Sequence, residues 1–166
     1  SALSQIEHGS QESYELIPIS YPVEAAISRA NPTAEKRSVS IRYTPPESEY
    51  FLKGDSIQIT SAVYNLIENA IKYSEEGTGE ITITTLSREN QIELTIQDNG
   101  IGIPEASHER VFERFYRVDK SRSRSEGGTG LGLSIVKHII EAHRQTINVR
   151  STENVGTTFS FTLKKS

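Results

Sequence analysis

Apolar residues along this chain alternate between a spacing of two and a spacing of three to four, and the changes of spacing lay out its elements. Leu16, Ile17 and Ile19 predict a strand over 14–20, with Pro18 favouring a sheet edge. Val23, Ala26, Ile27 and Ala30 predict a helix over 22–37, which Asn31-Pro32 should kink or stop. Strands are expected over 38–43 and 50–53, either side of the Pro45-Pro46 turn. Asp55 is a good N-cap for the strongest helix, running to about residue 74, where Val63, Leu66, Ile67, Ala70 and Ile71 share one side. Gly77 and Gly79 break the chain, and alternation through Ile81 and Ile83, then Ile92, Leu94 and Ile96, predicts strands over 80–86 and 92–97. Arg88-Glu89-Asn90 reads as the hairpin turn between them. Pro104 should open a short helix reaching Val111. A longer helix over 130–142 carries Ile135, Val136, Ile139 and Ile140, and strands over 147–151 and 157–163 close the chain. Residues 1–12, polar apart from Leu3 and Ile6, look like the tail of a preceding helix or a linker. Helices and strands mix without βαβ regularity, so the predicted class is α+β, with helices on one face of a mixed, mostly antiparallel sheet.

Composition narrows this. The chain has 166 residues, 34% hydrophobic and 24% charged, which suits one domain with one core. With no cysteine there is no disulfide framework, thiolate chemistry or Cys-built zinc site. No apolar run approaches the roughly 20 residues of a membrane span, and no signal-peptide pattern opens the chain. The expectation is a soluble, intracellular piece with no direct membrane contact. A net charge of −4 argues against nucleic acid as a partner.

The charge is unevenly placed. Arg110, Arg114, Arg117, Lys120, Arg122 and Arg124 face only Glu113 and Asp119, a local +4 just before a glycine cluster. A solvated basic loop would look the same, but the neighbouring glycines favour an anion site.

Three segments carry candidate chemistry. Asn65, Asn69 and Lys72 form a stripe at i, i+4 and i+7 on the helix side opposite the apolar residues. Asn is a poor helix former, while amide oxygens can ligate Mg²⁺ and Lys can pair with phosphate. An ordinary polar face is the alternative. Asp98-Asn99-Gly100-Ile101-Gly102-Ile103 follows a strand, so Asp98 could present a carboxylate at a pocket floor that the glycines leave open to an amine such as adenine's. It could equally be a glycine turn. Gly127-Gly128-Thr129-Gly130-Leu131-Gly132-Leu133 runs into a helix whose N–H groups suit phosphate. It fits neither the dinucleotide fingerprint nor the P-loop, and a flexible hinge is the other reading.

Taken in order, these segments resemble the conserved boxes of bacterial sensor histidine kinases. Residues 65–73 look like the N box, residues 98–103 like the first glycine box, residues 111–119 like the F box and residues 127–133 like the second glycine box. Gly156-Thr157-Thr158-Phe159 also matches, and the likeness covers about 14–163. It implies the Bergerat fold, a two-layer α/β sandwich with ATP held under a mobile lid of about 104–129, within a catalytic domain of 13–166. It implies that Asp98 takes the adenine amino group and that Asn69 ligates Mg²⁺ with Asn65 beside the metal and phosphates. Lys72 and Tyr73 would border the nucleotide, and Arg117 would reach the terminal phosphates. Gly100, Gly102 and Ile103 would line the base. Gly128, Thr129, Gly130, Leu131, Gly132 and Leu133 would edge the lid on the phosphate side, and Thr157 would lie near Asp98.

The same resemblance implies partners and place: the protein's own dimerisation domain, which carries the acceptor histidine, a response regulator receiver domain, and the cytoplasmic side of a membrane sensor. The acceptor motif itself is absent. His108-Glu109-Arg110 lies inside the lid without a following Thr-Pro, and His8, His138 and His143 lack the context. Residues 2–7 look like the end of the dimerisation helix. Where the family usually has His-Gly-Gly, this chain has His143-Arg144-Gln145, which puts the helix stop in doubt. Hydrolases of the superfamily carry a water-activating Glu four residues before the metal Asn; here that position is Asn65, and an amide is no general base. Glu68, about 100° further round the helix, reads as an exposed charge. The expected activity is phosphoryl transfer. A nucleotide-binding regulatory module and a gyrase- or chaperone-like ATPase are the alternatives.

Overall fold

The computed structural model describes residues 14–117 and 131–166. Five strands form the main sheet in the order β2-β4-β5-β7-β6: β2 (Ser40–Tyr43), β4 (Glu80–Arg88), β5 (Gln91–Asp98), β7 (Gly156–Lys164) and β6 (Ile147–Thr152). Only β2 and β4 run parallel; every other pairing is antiparallel. The alternation read in the sequence becomes rows across this sheet. Ile83 stands opposite Ile96, Ile96 opposite Phe159 and Phe159 opposite Val149. One face is therefore aliphatic and aromatic, while the other carries Thr82, Gln97 and Thr158 in the neighbouring row.

Helices cover the apolar face: α1 (Ser20–Lys36), α2 (Ser56–Tyr73) and α3 (Gly132–Ala142). The fold is α+β, as the pattern predicts. Residues 63, 66 and 67 of α2 are wholly buried, each such aliphatic side chain contributing about 1.5–3 kcal/mol. Asp55 caps α2, its Oδ1 accepting from the Gln58 N–H at 3.0 Å. A two-stranded ribbon, β1 (Glu15–Pro18) with β3 (Phe51–Gly54), forms a separate sheet tied to the chain's end by the Leu52–Lys165 bridge, and Pro18 does sit on an edge.

Two local expectations fail. Of the kink or stop expected at Asn31-Pro32, the stop does not occur: α1 runs through Pro32 to Lys36, close to the expected end. The residue whose carbonyl loses its partner, Ser28, is exposed, while Ala26, Ala30 and Ala34 keep the other side packed on the core. The helix expected after Pro104 shrinks to a single 3₁₀ turn, Glu105–Ser107, followed by turns. Residues 111 and 112 are held instead by the core, Val111 buried and Phe112 edge-on to Phe159.

The stop of α3 is also resolved. Arg144 takes the left-handed conformation at φ 60° that the family's glycine supplies without strain. Its N–H bonds the Glu141 carbonyl at 2.8 Å, and the Gln145 N–H bonds the Ile140 carbonyl at 3.0 Å. These two bonds are a Schellman motif built on arginine.

Candidate nucleotide site

Asp98 ends β5, and only 6% of it is exposed. Its Oδ1 accepts from the Gly100 N–H at 2.8 Å and the Thr157 N–H at 3.2 Å. Its Oδ2 has no hydrogen-bond partner among the described residues. Burial holds the carboxyl above its usual range, and the two backbone N–H groups only partly oppose that. The arrangement is a fixed acceptor that is costly to leave charged and unpaired, which suits a ligand donating an N–H.

Four contacts of the loop that follows place this carboxylate. Gly100 lies directly against the Tyr73 carbonyl at the end of α2, where any Cβ would collide with that oxygen. The same carbonyl accepts from the Ile101 N–H at 3.1 Å. Gly102, at φ 76°, passes so close to the Thr152 carbonyl that only glycine fits. Ile103 donates its N–H to Ser151 Oγ at 2.7 Å, and Ser151 Oγ lies 2.9 Å from Thr157 Oγ1. The loop from 99 to 103 is thereby pinned between α2 and the β6–β7 hairpin. Ser151 shows no signal in the sequence, because its role arises only when the hairpin folds over the loop.

Along α2 the stripe of Asn65, Asn69 and Lys72 is half-buried rather than a free solvent face. Asn65 donates through Nδ2 to the Ser61 carbonyl at 2.8 Å, and its Oδ1 lies 3.3 Å from where a Gly132 Cβ would stand. Asn65 therefore meets the first residue of α3, a contact that any larger residue at Gly132 would crowd. Asn69 has no side-chain partner among the described residues. Lys72 is held below its ordinary value by burial, with Glu68 opposing the shift and Arg117 adding to it. The charge of Arg117 thus reaches Lys72 and disfavours its protonated form. Glu68 is not the bare charge expected: it is half-buried, and beyond burial its charge helps raise the pKa of Tyr64, over whose ring Arg29 stacks at 3.9 Å.

At the N-terminus of α3 the Leu131 carbonyl receives the Ile135 N–H at 3.0 Å and Ser134 Oγ at 2.8 Å, and the first-turn N–H groups have no partner within the helix. Leu131 and Leu133 are half-buried beside them. Gly128, Thr129 and Gly130 lie outside the described residues, as does the lid from residue 118 to 129. The described part of that lid is anchored: Val111 is 4% exposed, Phe112 meets Phe159 edge-on at 5.9 Å, and Ser107 Oγ bonds Tyr116 Oη at 2.7 Å. His108 bonds the Ile103 carbonyl through Nε2 at 2.8 Å, so it fastens the lid's base to the pocket loop.

Asp98 and Thr157 thus meet beside the end of α2, where Gly100 abuts the Tyr73 carbonyl, and Asn65 meets Gly132 between α2 and α3. Among the described residues no group of three His, Cys, Asp or Glu side chains could cage a metal. No helix among them is long and apolar enough to cross a membrane.

The comparisons agree with this geometry. Residues 54–166 match the family described as histidine kinase-, DNA gyrase B- and HSP90-like ATPases. The chain is 43% identical over 141 residues to the sensor-like histidine kinase SenX3 of Mycolicibacterium smegmatis, covering 85% of this chain and 36% of that protein. It is 44% identical over 139 residues to the sensor histidine kinase WalK of Bacillus subtilis, covering 82% of this chain and 22% of that one. The mycobacterial sensor histidine kinase MprB superposes with a TM-score of 0.79 at 29% identity, covering 91% of this chain and 98% of that chain. The chain therefore belongs to the histidine kinase-, DNA gyrase B- and HSP90-like ATPase family, and within it to the ATP-binding domains of sensor histidine kinases. It spans about a third or less of the length of these curated relatives.

Proposed function

We propose that this domain binds MgATP and delivers the γ-phosphate to a histidine on a separate dimerisation domain, as the catalytic part of a two-component sensor kinase. The observation that carries the reading is Asp98: a buried carboxylate, oriented through Oδ1 by two backbone N–H groups, with Oδ2 left for the adenine amino group. Gly100, Gly102, Ile103 and Thr157 shape the base pocket, and Tyr73 closes its α2 side. Lys72 and Arg117 supply positive charge to the phosphates, joined by the N–H groups at Leu131, Gly132 and Leu133 and by the glycines before them.

The donor set fits Mg²⁺. A metal that keeps several waters and binds mainly to phosphate oxygens needs one or two protein oxygens rather than a cage. Asn69, unpartnered among the described residues, provides one, and Asn65 Oδ1 lies one turn away. When bound, the metal would offset charge on the phosphates. Asn65 favours transfer over hydrolysis, because an amide holding the Ser61 carbonyl cannot take a proton from water. The acceptor imidazole would be the nucleophile, and this domain would position and stabilise. The partners are then the dimerisation domain and a response regulator receiver domain, on the cytoplasmic side of a membrane sensor.

Calorimetric titration with MgATP and MgGTP tests the base pocket. Wild type should prefer ATP, and Asp98→Asn should lose about 1.5–3 kcal/mol of ATP affinity, the worth of a charge-assisted hydrogen bond. Equal affinity for both nucleotides, unchanged by the substitution, would place the base elsewhere.

A further inference from the structure

His143 follows α3 and is 9% exposed. Each ring nitrogen has a backbone partner. Nδ1 lies 2.8 Å from the Ile139 carbonyl, so it must be the protonated nitrogen, and Nε2 accepts the Asp55 N–H at 3.2 Å. Tyr14 stacks on the ring with centroids 4.7 Å apart and planes 5° from parallel, and its hydroxyl donates to the Ala142 carbonyl at 3.2 Å. Gly54 leaves room for the imidazole: a Cβ there would stand 3.1 Å from Nε2.

Asp55 is the N-cap of α2, and His143 is the C-cap of α3. The two helices run antiparallel, with Asn65 meeting Gly132 further along. The neutral imidazole thus fastens the N-terminal end of α2 to the C-terminal end of α3. We infer that His143 is a positioning residue for the nucleotide site, setting the spacing between α2 and α3 and with it the approach of Asn65 and Asn69 to the first turn of α3. It touches no ligand itself. The inference rests on the nucleotide-site reading above, and it makes the site sensitive to protonation at a point remote from the phosphates.

The electrostatics agree with the geometry. Burial holds His143 below its ordinary value of 6.5, opposed by the bond to the Ile139 carbonyl and by the charge of Asp55. The titratable and charged groups facing it are Tyr14 from the start of the domain, Asp55 from α2 and the adjoining Arg144; Gly54, from β3, contributes no charge. A proton on Nε2 would turn the acceptor into a second donor facing the Asp55 N–H, and the joint would open.

The test is MgATP affinity of the 166-residue chain between about pH 7.5 and about pH 5, for wild type, His143→Gln and His143→Leu. The Gln carbonyl can still accept the Asp55 N–H but does not titrate, whereas Leu fills the space without any bond. Wild-type affinity should fall by about tenfold more than that of His143→Gln over this range. Any contribution from Asp98 is common to both proteins and cancels in their ratio. His143→Leu should bind weakly at every pH while keeping its far-ultraviolet circular dichroism. Nitrogen NMR of His143 gives a readout independent of the nucleotide: the Nδ1–H tautomer, with Asn65 and Gly132 amide shifts moving as the ring titrates. Wild type and His143→Gln falling in parallel, or His143 titration leaving those amides unmoved, would overturn the inference. A wild type that binds no MgATP at about pH 7.5 while the amides still move would instead sink the nucleotide reading and leave the joint standing.

Discussion

Asp98 shows how a single residue can be set against the stability of its own fold. Its carboxyl is held above the ordinary value of 3.8 by burial, so the folded state keeps the proton to higher pH than the unfolded chain does. The stability this contributes is full below about pH 4 and is lost as pH rises through the folded value. Asp98→Asn should therefore leave the ligand-free domain at least as stable as wild type at neutral pH, because the amide oxygen can accept the same two N–H groups. The expected result is an unchanged or higher melting temperature beside the weakened ATP binding, and a lower melting temperature would mean that the carboxylate is structural. Asn65 and Asn69 separate in the same spirit. Asn69→Ala should lose Mg²⁺-dependent binding, whereas Asn65→Glu should still bind nucleotide, weakened by repulsion from the phosphates. Titrations with and without Mg²⁺ decide. If Asn69→Ala keeps its Mg²⁺ dependence while Asn65→Ala loses it, the metal belongs on the other asparagine.

At the scale of elements, the residues that matter are those where local preference and tertiary structure disagree. The Schellman stop of α3 needs a left-handed residue, and Arg144 fills it at φ 60°. Side chains in that region cost about 1–2 kcal/mol relative to the right-handed one, and glycine does not. Arg144→Gly should raise stability by about 1 kcal/mol, some 2–4 °C in a thermal melt. No change would mean that the Arg144 side chain makes up the strain elsewhere. Pro32 is the opposite case: the sequence argues for a break, yet the Ala26, Ala30 and Ala34 side is buried firmly enough to carry the helix through. Period and capping made α2 legible to its first residue, since Asp55 acts locally. The 3₁₀ turn after Pro104 was not legible, because Val111 and Phe112 are held by contacts with the distant core rather than by neighbours in sequence.

For the whole molecule, the site was legible wherever chemistry and spacing lie on one element. Asn65, Asn69 and Lys72 sit on one helix, and Asp98 with its glycines on one loop. What the chain could not reveal are joints between elements: Ser151 holding Ile103, Gly132 meeting Asn65, and His143 tying α3 to α2. These depend on which surfaces the sheet brings together. The order and spacing of the N box, glycine boxes and F box named the family, while the joints leave no such pattern.

The central claim is that this domain transfers phosphate rather than releasing it. The direct measurement incubates the chain with γ-labelled MgATP, alone and with a sensor-kinase dimerisation domain carrying the acceptor histidine, and follows label on each protein beside free phosphate. Label should appear on the dimerisation domain alone, acid-labile and base-stable as a phosphohistidine is, and should vanish with Asn69→Ala. Steady release of free phosphate with no labelled protein, or label on His108 or another histidine of this chain, would contradict the account.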